Sequence, residues 1–440
     1  MQQQPRLPLW FLVVNWAMIL AAFAAGIYLG KGRNGRLAEP QSSALEIVYS
    51  EVLRSHIEPP DEHELLERAI AGMVDGLDRY SRYIPPAGVA RYDEASSGAY
   101  EGIGAVMTAP EDEVVVHYPF VGSPAEAAGL RPGDVILAVD GEPLADDAAR
   151  REVAARIRGE AGTAVVLDVR RGDDRFEVSV RRGSVQRPCV KWAHYVDPEQ
   201  GLGYVYLSDF HPTAADQLFD AIRALEAERP LRGLILDLRY DGGGSLDQCL
   251  EIARGFLREG VIATQYRRAG EDEVYEAAPG EALWPDLPLV VLVNEQSASA
   301  SEVLSGALQD HERAAIVGVR THGKGYVNTV YSWKDRAFKL KLTTGSYRTP
   351  SGRNIERNQA TDGTPADKDQ GGIPPDVAVP VDDEDNARLY RLLHEVEVPA
   401  AYLEDFRALA ARFDLDVSGP PAVDSDAQLA AALAALRERL

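Results

Sequence analysis

The chain has 440 residues, 45% of them hydrophobic and 26% charged, which is typical of a folded protein with two or three domains. Its formal net charge of −23 argues against nonspecific binding to nucleic acid. The two cysteines, Cys189 and Cys249, and eight scattered histidines show no metal-ligand spacing, so we predict neither a disulfide scaffold nor a metal site.

The first informative segment is residues 7–30, which contains no charged residue and is followed at once by basic residues. Its length matches the roughly 20 apolar residues that span a bilayer as a helix, so we predict a transmembrane anchor. A cleaved signal peptide is the alternative, because Ala21–Ala25 offers small residues for a peptidase. Arg6 alone precedes the segment, so the positive-inside rule by itself would leave the C-terminal bulk in the cytoplasm.

The next region, residues 41–95, is interpreted as a small helical packing element, because the apolar residues from Ser43 to Leu77 have helical spacing. Pro59 and Pro60 break it into two helices, and Asp61 is a plausible N-cap for the second. From about Ala99 to Arg182 the pattern changes to short strands separated by glycine turns.

From Gly201 to about Val379, predicted strands alternate with predicted helices. This order indicates a mainly parallel sheet covered by helices. Residues 382–385 form an acidic hinge, and the remainder is rich in Ala and Leu and reads as helix.

Two strand-to-helix junctions carry candidate chemistry, residues 237–244 and 294–302. Ligands bind where parallel strands end, and the glycines at 242–244 let backbone N–H groups approach an oxyanion, although a simple tight turn is the alternative. The serines at 297, 299 and 301 either cap a helix or supply a nucleophile at a helix N-terminus. The chain has no G-x-S-x-G motif, which argues against an α/β-hydrolase.

The candidate base is Lys324, which lies between two glycines. To accept a proton near neutral pH, its pKa must fall from about 10.4 to about 7–8, which burial can achieve. A surface lysine in a turn is the alternative, and His322 offers a rival Ser–His pairing.

From about residue 45 to 440 the sequence resembles the tail-specific, or C-terminal processing, serine peptidases. The resemblance is carried by residues 293–302, Gln309-Asp310, Gly323-Lys324-Gly325, residues 349–353 and residues 371–376. It implies that Ser299 is the nucleophile, that Lys324 is the base, and that backbone N–H groups of Ala300 and Gly243 form the oxyanion hole. Asn328 stands where the family often has a glutamine that orients the lysine.

Residues 96–183 resemble the PDZ domain of the same family, through residues 123–134 and through a carboxylate-binding loop formed by Gly102, Ile103, Gly104 and Ala105. The resemblance implies that apolar C-terminal tails of substrates add to this domain as a strand. A PDZ-like packing module without a ligand is the alternative.

The resemblance implies a multi-domain α+β protein: a PDZ-like β-rich domain and an α/β peptidase core of the crotonase or ClpP-like kind, with helical N- and C-terminal parts. The predicted boundaries are 7–30 for the anchor, 41–95, 96–183 for the PDZ domain, 184–381 for the core, and 382–440. The resemblance further implies protein or peptide substrates with apolar tails, and it implies no cofactor. It leaves a homo-oligomer open, and the net charge argues against nucleic acid as a partner. Against the charge count, the resemblance places a single-pass protein in the inner (cytoplasmic) membrane with its catalytic bulk in the periplasm or cell exterior.

Three departures from the family pattern keep other functions open. Asp241-Gly242 stands in place of Asn-Pro, His322 in place of Phe, and Asn328 in place of Gln. The main hypothesis is an active Ser/Lys endopeptidase, and the alternatives are a catalytically impaired protein that binds tails and a crotonase-like acyl-CoA enzyme.

Overall fold

A computed structural model describes residues 39–58, 60–108, 113–145, 150–268, 270–357, 371–394, 398–413 and 420–440. The anchor predicted at residues 7–30 lies outside these ranges. Within them, no helix is both long and apolar enough to cross a membrane. The chain divides into two units, residues 1–76 and 77–440.

The first unit contains two helices, α1 (Glu39–Ser55) and α2 (Glu62–Asp75). Asp61 caps α2, because its Oδ1 accepts the N–H of Glu64 at 2.9 Å. Such a bond satisfies one of the donors that a helix N-terminus leaves without an intrahelical partner.

The second unit begins with β1 (Arg82–Ile84), α3 (Pro86–Ser97) and β2 (Ala99–Gly102). A PDZ-like module follows, made of β3 (Ala105–Thr108), β4 (Val115–Pro119), α4 (Pro124–Ala127), β5 (Val135–Val139), β6 (Glu142–Pro143), α5 (Arg150–Ile157), β7 (Ala164–Arg171) and β8 (Asp174–Arg181). Its strands are antiparallel in the order β3-β4-β5-β7-β8, with β6 on β5. After the module, β9 (Gly183–Gln186) pairs antiparallel with β2.

The α/β core follows. Its first half comprises β10 (Val190–Asp197), β11 (Leu202–Leu207), α6 (Ala214–Glu228), β12 (Gly233–Asp237), α7 (Leu246–Phe256), β13 (Gly260–Arg267) and β14 (Glu273–Ala277). Its second half comprises β15 (Leu289–Val293), α8 (Ala300–Asp310), β16 (Ala314–Gly318), β17 (Tyr326–Ser332), β18 (Lys339–Arg348) and β19 (Val377–Ala378). The C-terminal helices are α9 (Asp383–His394), α10 (Leu403–Phe413) and α11 (Ala427–Arg437).

The main sheet of the core has the order β10-β11-β12-β15-β16-β19, and all its pairs are parallel except β10 with β11. Strands β12 and β15 are buried at every position, as expected when helices cover both faces. Val291 and Val293 of β15 pack with α6, α7 and α8, whereas Val290 and Leu292 pack with α9 and α11. The expected multi-domain α+β architecture with a parallel α/β core is therefore confirmed.

A second, antiparallel sheet has the order β1-β18-β13-β14, and β17 pairs with the other edge of β18. The hairpin of β17 and β18 follows the lysine loop directly, so it forms one wall of the candidate site. The C-terminal helix α10 packs on the PDZ-like module, where the ring of Phe406 stacks on His117 with centroids 4.7 Å apart and Leu409 joins a small core with Val115 and Val135.

Candidate active site

Three neighbouring parallel strands end at one edge of the main sheet, and each is followed by a predicted site segment. The glycine turn at 242–244 follows β12, Ser299 follows β15, and Lys324 follows β16. All three segments line one pocket of about 440 Å³. The parallel topology thus brings together residues that are far apart in sequence.

Polar side chains fasten the first two of these junctions to each other. Oδ1 of Asn294 accepts the N–H of Tyr240 at 2.9 Å, and the Ser297 hydroxyl donates to the carbonyl of Leu238 at 2.8 Å. The same hydroxyl accepts the N–H of Asn294 at 2.9 Å. These bonds satisfy buried backbone groups, so the loop before Ser299 has a fixed path.

Ser299 itself precedes the first residue of α8 in a strained conformation, with φ +56° and ψ −113°. A non-glycine residue in such a region costs about 1–3 kcal/mol, and strain of this kind clusters at functional sites. Ala300, the first helical residue, has no carbonyl acceptor within the helix for its N–H. That N–H is therefore suited to binding negative charge beside the Ser299 hydroxyl.

The glycine turn touches the start of α8 directly. A Cβ on Gly243 would lie 2.6 Å from the carbonyl oxygen of Ala298, 2.8 Å from the nitrogen of Ala300 and 2.9 Å from Cβ of Ser299. Gly243 also has φ +86°, so no other residue fits this position without strain. Its N–H, however, donates to Oδ1 of Asp241 at 2.8 Å.

Asp241, for which the resemblance stated above implies an asparagine, is completely buried. Burial raises its pKa well above the ordinary value, and the nearby Asp209 adds to the effect. Its Oδ2 has no hydrogen-bond partner among the described residues. The Asp241 carboxyl presents an oxygen acceptor to the N–H of Gly243, as the amide of an asparagine would.

One buried carboxylate, Glu302, joins the nucleophile to the lysine loop. Its Oε2 accepts the N–H groups of Ser299 at 2.9 Å and of Lys324 at 2.8 Å. Its Oε1 accepts the Thr321 hydroxyl and the Gly323 N–H, both at 2.6 Å. Burial raises the pKa of Glu302, although these four hydrogen bonds oppose the shift. Sequence reasoning assigned it no role, yet the S-x-x-E spacing from Ser299 is the signature of a capping box.

Lys324 is half-buried, and its burial lowers the pKa of the amine. The charges of Glu302 and Glu356 oppose this shift, whereas Arg79 adds to it. His322, the rival base, has an exposed side chain that does not line the pocket, and its N–H donates to the carbonyl of Ser297 at 3.0 Å. The geometry therefore favours Lys324 as the partner of Ser299.

Asn328 lies on β17 and lines the same pocket. Its Nδ2 donates to Oγ1 of Thr343 on β18 at 3.0 Å. Sequence reasoning missed Thr343, and also Tyr80, whose ring centroid lies 5.4 Å from Nζ of Lys324.

The predicted carboxylate-binding loop connects β2 to β3. Ile103 is buried and its carbonyl accepts the N–H of Ala125 at 2.7 Å, while Gly104 has φ +75°. Gly102 ends β2, and Ala105 begins β3, which is the edge strand of the module. An edge strand that follows such a loop is suited to adding an extended peptide.

The described residues contain no cluster of three or more His, Cys, Asp or Glu side chains that would hold a metal ion. Cys189 and Cys249 are both free and buried.

Comparison with known proteins gives consistent matches. The model of peptidase family S41 matches residues 201–379, and a PDZ domain model matches residues 119–171. A carboxy-terminal-processing protease of Bartonella bacilliformis is 31% identical over 350 residues, covering 76% of this chain and 79% of the relative. A probable CtpA-like serine protease of Staphylococcus aureus strain COL is 33% identical over 361 residues, covering 81% and 68%. Among solved structures, a photosystem II D1 C-terminal processing protease is 29% identical, covers 77% of this chain and 88% of that chain, and has a TM-score of 0.42.

Proposed function

This chain belongs to peptidase family S41 together with the carboxy-terminal-processing proteases, and we propose that it cleaves proteins recognised by their C-terminal tails, with Ser299 as nucleophile and Lys324 as base. It is a hydrolase of the serine endopeptidase class. The observation that carries the residue assignment is the shared carboxylate: Glu302 accepts the N–H groups of both Ser299 and Lys324.

In the proposed reaction, the neutral amine of Lys324 takes the proton of the Ser299 hydroxyl as Oγ attacks the substrate's peptide carbonyl carbon. The tetrahedral intermediate collapses, the C–N bond breaks, and the Lys324 ammonium returns the proton to the leaving amine. Lys324 then takes a proton from water as the water oxygen attacks the acyl ester carbon. When this second tetrahedral intermediate collapses, the Lys324 ammonium returns the proton to Oγ of Ser299, which releases the carboxylic acid and regenerates the hydroxyl and the neutral amine.

The developing oxyanion needs fixed N–H donors, each worth about 2.7–4 kcal/mol in comparable sites. We propose the N–H of Ala300 as the first donor, since it is at the helix N-terminus beside Ser299. Gly243 is proposed as the second. Because its N–H donates to Asp241, it serves the oxyanion through a shared, three-centre hydrogen bond.

The central test compares Ser299→Ala and Lys324→Ala with matched controls, Ser332→Ala and Lys334→Ala, on exposed residues of the β17–β18 hairpin. Cleavage of an unfolded, fluorescein-labelled polypeptide ending in three apolar residues is the readout. Both site variants should lose cleavage while keeping wild-type circular dichroism, and both controls should retain it. Full activity in either site variant contradicts the assignment.

For Asn328 we propose that its amide oxygen accepts a hydrogen bond from the Lys324 amine. Its Nδ2 bond to Thr343 supports this role, because it leaves the oxygen as the free end of the amide. The expected result is that Asn328→Leu lowers kcat more than Asn328→Gln, which keeps an amide. Equal activity of the two variants would remove this role.

For the PDZ-like module we propose that β3 and the loop of residues 102–105 bind the substrate's terminal carboxylate. Binding is measured by fluorescence anisotropy with the full-length Ser299→Ala variant and a labelled decapeptide ending in three apolar residues. The same peptide with a C-terminal amide should bind at least tenfold more weakly, since backbone N–H groups capture a carboxylate. Equal binding of the two peptides would mean that the module only packs.

Residues 7–30 support a further proposal, that they anchor the chain in the inner (cytoplasmic) membrane with the catalytic part in the periplasm or cell exterior. In cells that express the full chain, the protein should sediment with membranes and resist extraction by carbonate. Externally added protease should degrade it in spheroplasts. Protection from the protease would contradict the proposed location. Recovery of a shortened soluble chain would contradict the proposed anchor.

A further inference from the structure

The four residues before β1, Asp78 to Ser81, form a tight turn that lies outside both family matches. Oδ1 of Asp78 accepts the N–H groups of Tyr80 and Ser81, each at 2.8 Å, and Oδ2 accepts the Ser81 hydroxyl at 2.7 Å. An aspartate that binds the backbone two and three residues ahead holds such a turn in one conformation. We call residues 78–81 the Asp78 turn.

The Asp78 turn is fastened to β18 through one residue, Thr343. The Thr343 hydroxyl donates to Oδ1 of Asp78 at 3.0 Å, and the Thr343 N–H donates to Oγ of Ser81 at 3.0 Å. Across the hairpin, Thr343 is the register partner of Asn328 on β17. The Asp78 turn is therefore connected to the wall of the catalytic pocket through the side chains of Thr343 and Asn328.

The carboxylate sets the direction of the hydrogen bonds in this chain. A threonine hydroxyl has one proton, and Asp78 can only accept, so the Thr343 proton points at Asp78. The Thr343 oxygen must then accept from Asn328, which places the NH₂ end of that amide at Thr343. The carbonyl end of Asn328 is left for a donor in the pocket, and the amine of Lys324 is such a donor.

The same turn places an aromatic ring against the lysine. Nζ of Lys324 lies 5.4 Å from the centroid of the Tyr80 ring, which also packs edge-on against Tyr326 at 6.0 Å. The Arg79 guanidinium lies 4.6 Å from the same ring and within 3.9 Å of Glu356. The ring excludes water from one side of the amine, which disfavours the ammonium. The attraction between the ring face and the ammonium offsets only part of this loss, because burial is the largest influence and the pKa of Lys324 is lowered.

The charged groups that act on Lys324 come from several elements. Glu302 on α8 and Glu356 favour the ammonium, and Arg79 disfavours it. Lys341 on β18 and His322 in the lysine loop also interact with Lys324. Desolvation by burial is the largest influence on the pKa of the Lys324 amine, and it lowers that pKa, while charges of both signs act on it in opposite directions.

We infer that the Asp78 turn is a positioning element for the base: Tyr80 shields the Lys324 amine from water, and Asp78, acting through Thr343, orients the Asn328 amide toward it. This inference rests on the proposed role of Lys324. None of the three residues touches the reacting bond, so each acts through the lysine.

The first test is the pH dependence of kcat/KM for full-length Tyr80→Ala and Tyr80→Phe, measured with the labelled polypeptide described above. The base must be neutral, so the rate rises with pH through the lysine pKa. Tyr80→Ala admits water, and the midpoint should move up by about 1 pH unit, which is about tenfold in rate on the acid side. Tyr80→Phe keeps the ring, and the hydroxyl has no hydrogen-bond partner among the described residues, so the wild-type midpoint should remain.

The second test compares Thr343→Val with Thr343→Ser. Valine keeps the shape but removes the hydroxyl, so Asn328 loses its fixed orientation and kcat should fall about 10- to 100-fold with little change in KM. Serine retains the hydroxyl and should bring kcat back to within about threefold of wild type.

An unshifted midpoint in Tyr80→Ala, or an equal loss of rate at every pH with the fold intact, overturns the shielding role. Wild-type kcat in Thr343→Val overturns the orienting role. These failures differ from failure of the proposed function, in which Lys324→Ala itself would stay active. Circular dichroism of each variant separates these outcomes from unfolding.

Discussion

Replacing Glu302 with glutamine tests the connection between the nucleophile and the lysine loop. The carboxylate accepts two hydrogen bonds on each oxygen, from Ser299 and Lys324 at Oε2 and from Thr321 and Gly323 at Oε1. A glutamine amide has only one accepting end. Its NH₂ group must therefore face two of the four donors.

The less costly orientation points the NH₂ group at Thr321 and Gly323, because the Thr321 hydroxyl can rotate and accept. The N–H of Gly323 then loses its partner, which costs about 1–3 kcal/mol for a buried donor. Burial raises the pKa of Glu302, so removing its charge offsets part of that cost. We expect the free energy of unfolding to fall by about 1–3 kcal/mol at most.

Catalysis should suffer more than stability. Displacing Gly323 moves the adjacent Lys324, and a misplacement of about 1 Å in a catalytic group can cost roughly 100-fold in rate. Urea unfolding and kcat are measured on Glu302→Gln and on Glu259→Gln, an identical change at an exposed carboxylate. Wild-type kcat in Glu302→Gln, or an equal loss in Glu259→Gln, would refute the reasoning.

Three further variants test other buried groups. Asp241→Asn keeps the acceptor for Gly243 but cannot ionise. Because the folded-state pKa of Asp241 is raised, the wild-type protein loses stability as the pH rises through that pKa. The free energy of unfolding in urea should therefore favour the variant over the wild type by more at pH 8 than at pH 5. Arg239→Met leaves the buried Asp237 without its ion pair, and urea unfolding should show a loss of about 3–5 kcal/mol. Burial lowers the pKa of His117 to about 4, so the wild-type protein loses stability as the pH falls from about 6.5 toward 4. Between pH 7 and pH 5 this histidine should lower the free energy of unfolding by about 2 kcal/mol, and His117→Leu should remove that decrease.

Each of these variants has an exposed counterpart. Asp220→Asn and Arg223→Met each change one partner of a solvent-exposed ion pair on α6. His63→Leu changes an exposed histidine on α2. All three counterparts should change stability by less than about 0.5 kcal/mol. A counterpart that matched its buried partner would show that burial is not the cause.

Much of the candidate site was predictable because it depends on local pattern and on one topological rule. Strands that alternate with helices give a parallel sheet, and residues that follow neighbouring strands meet at one edge. Ser299 and Lys324 obey that rule, since they follow β15 and β16. The residues alone left Lys324 and His322 as rival bases, and the resemblance to the family favoured Lys324. In the structure Lys324 lines the pocket and His322 does not.

The supporting contacts were not predictable, because they join residues that no periodicity relates. Thr343 is 15 residues from Asn328 and 265 residues from Asp78, and it contacts both. The bond between Gly243 and Asp241 is equally hidden, since a glycine run indicates backbone freedom but not where each N–H points. The sequence therefore suggested the N–H of Gly243 as an oxyanion donor without indicating that this N–H donates to Asp241.

The antiparallel pairing of β2 with β9 has a consequence for how this enzyme can be rebuilt. Gly102 and Gly183 are register partners, so the chain leaves for the PDZ-like module and returns from it at adjacent positions, about 5 Å apart in such a pair. We therefore expect that a two-residue turn can close the ribbon of β2 and β9 when the module is deleted, and that another module with adjacent ends can replace it. Such grafting would remove the surface that covers Phe406 and Leu409 of α10, and also the ion pair of Arg158 in the module with Glu94 of α3.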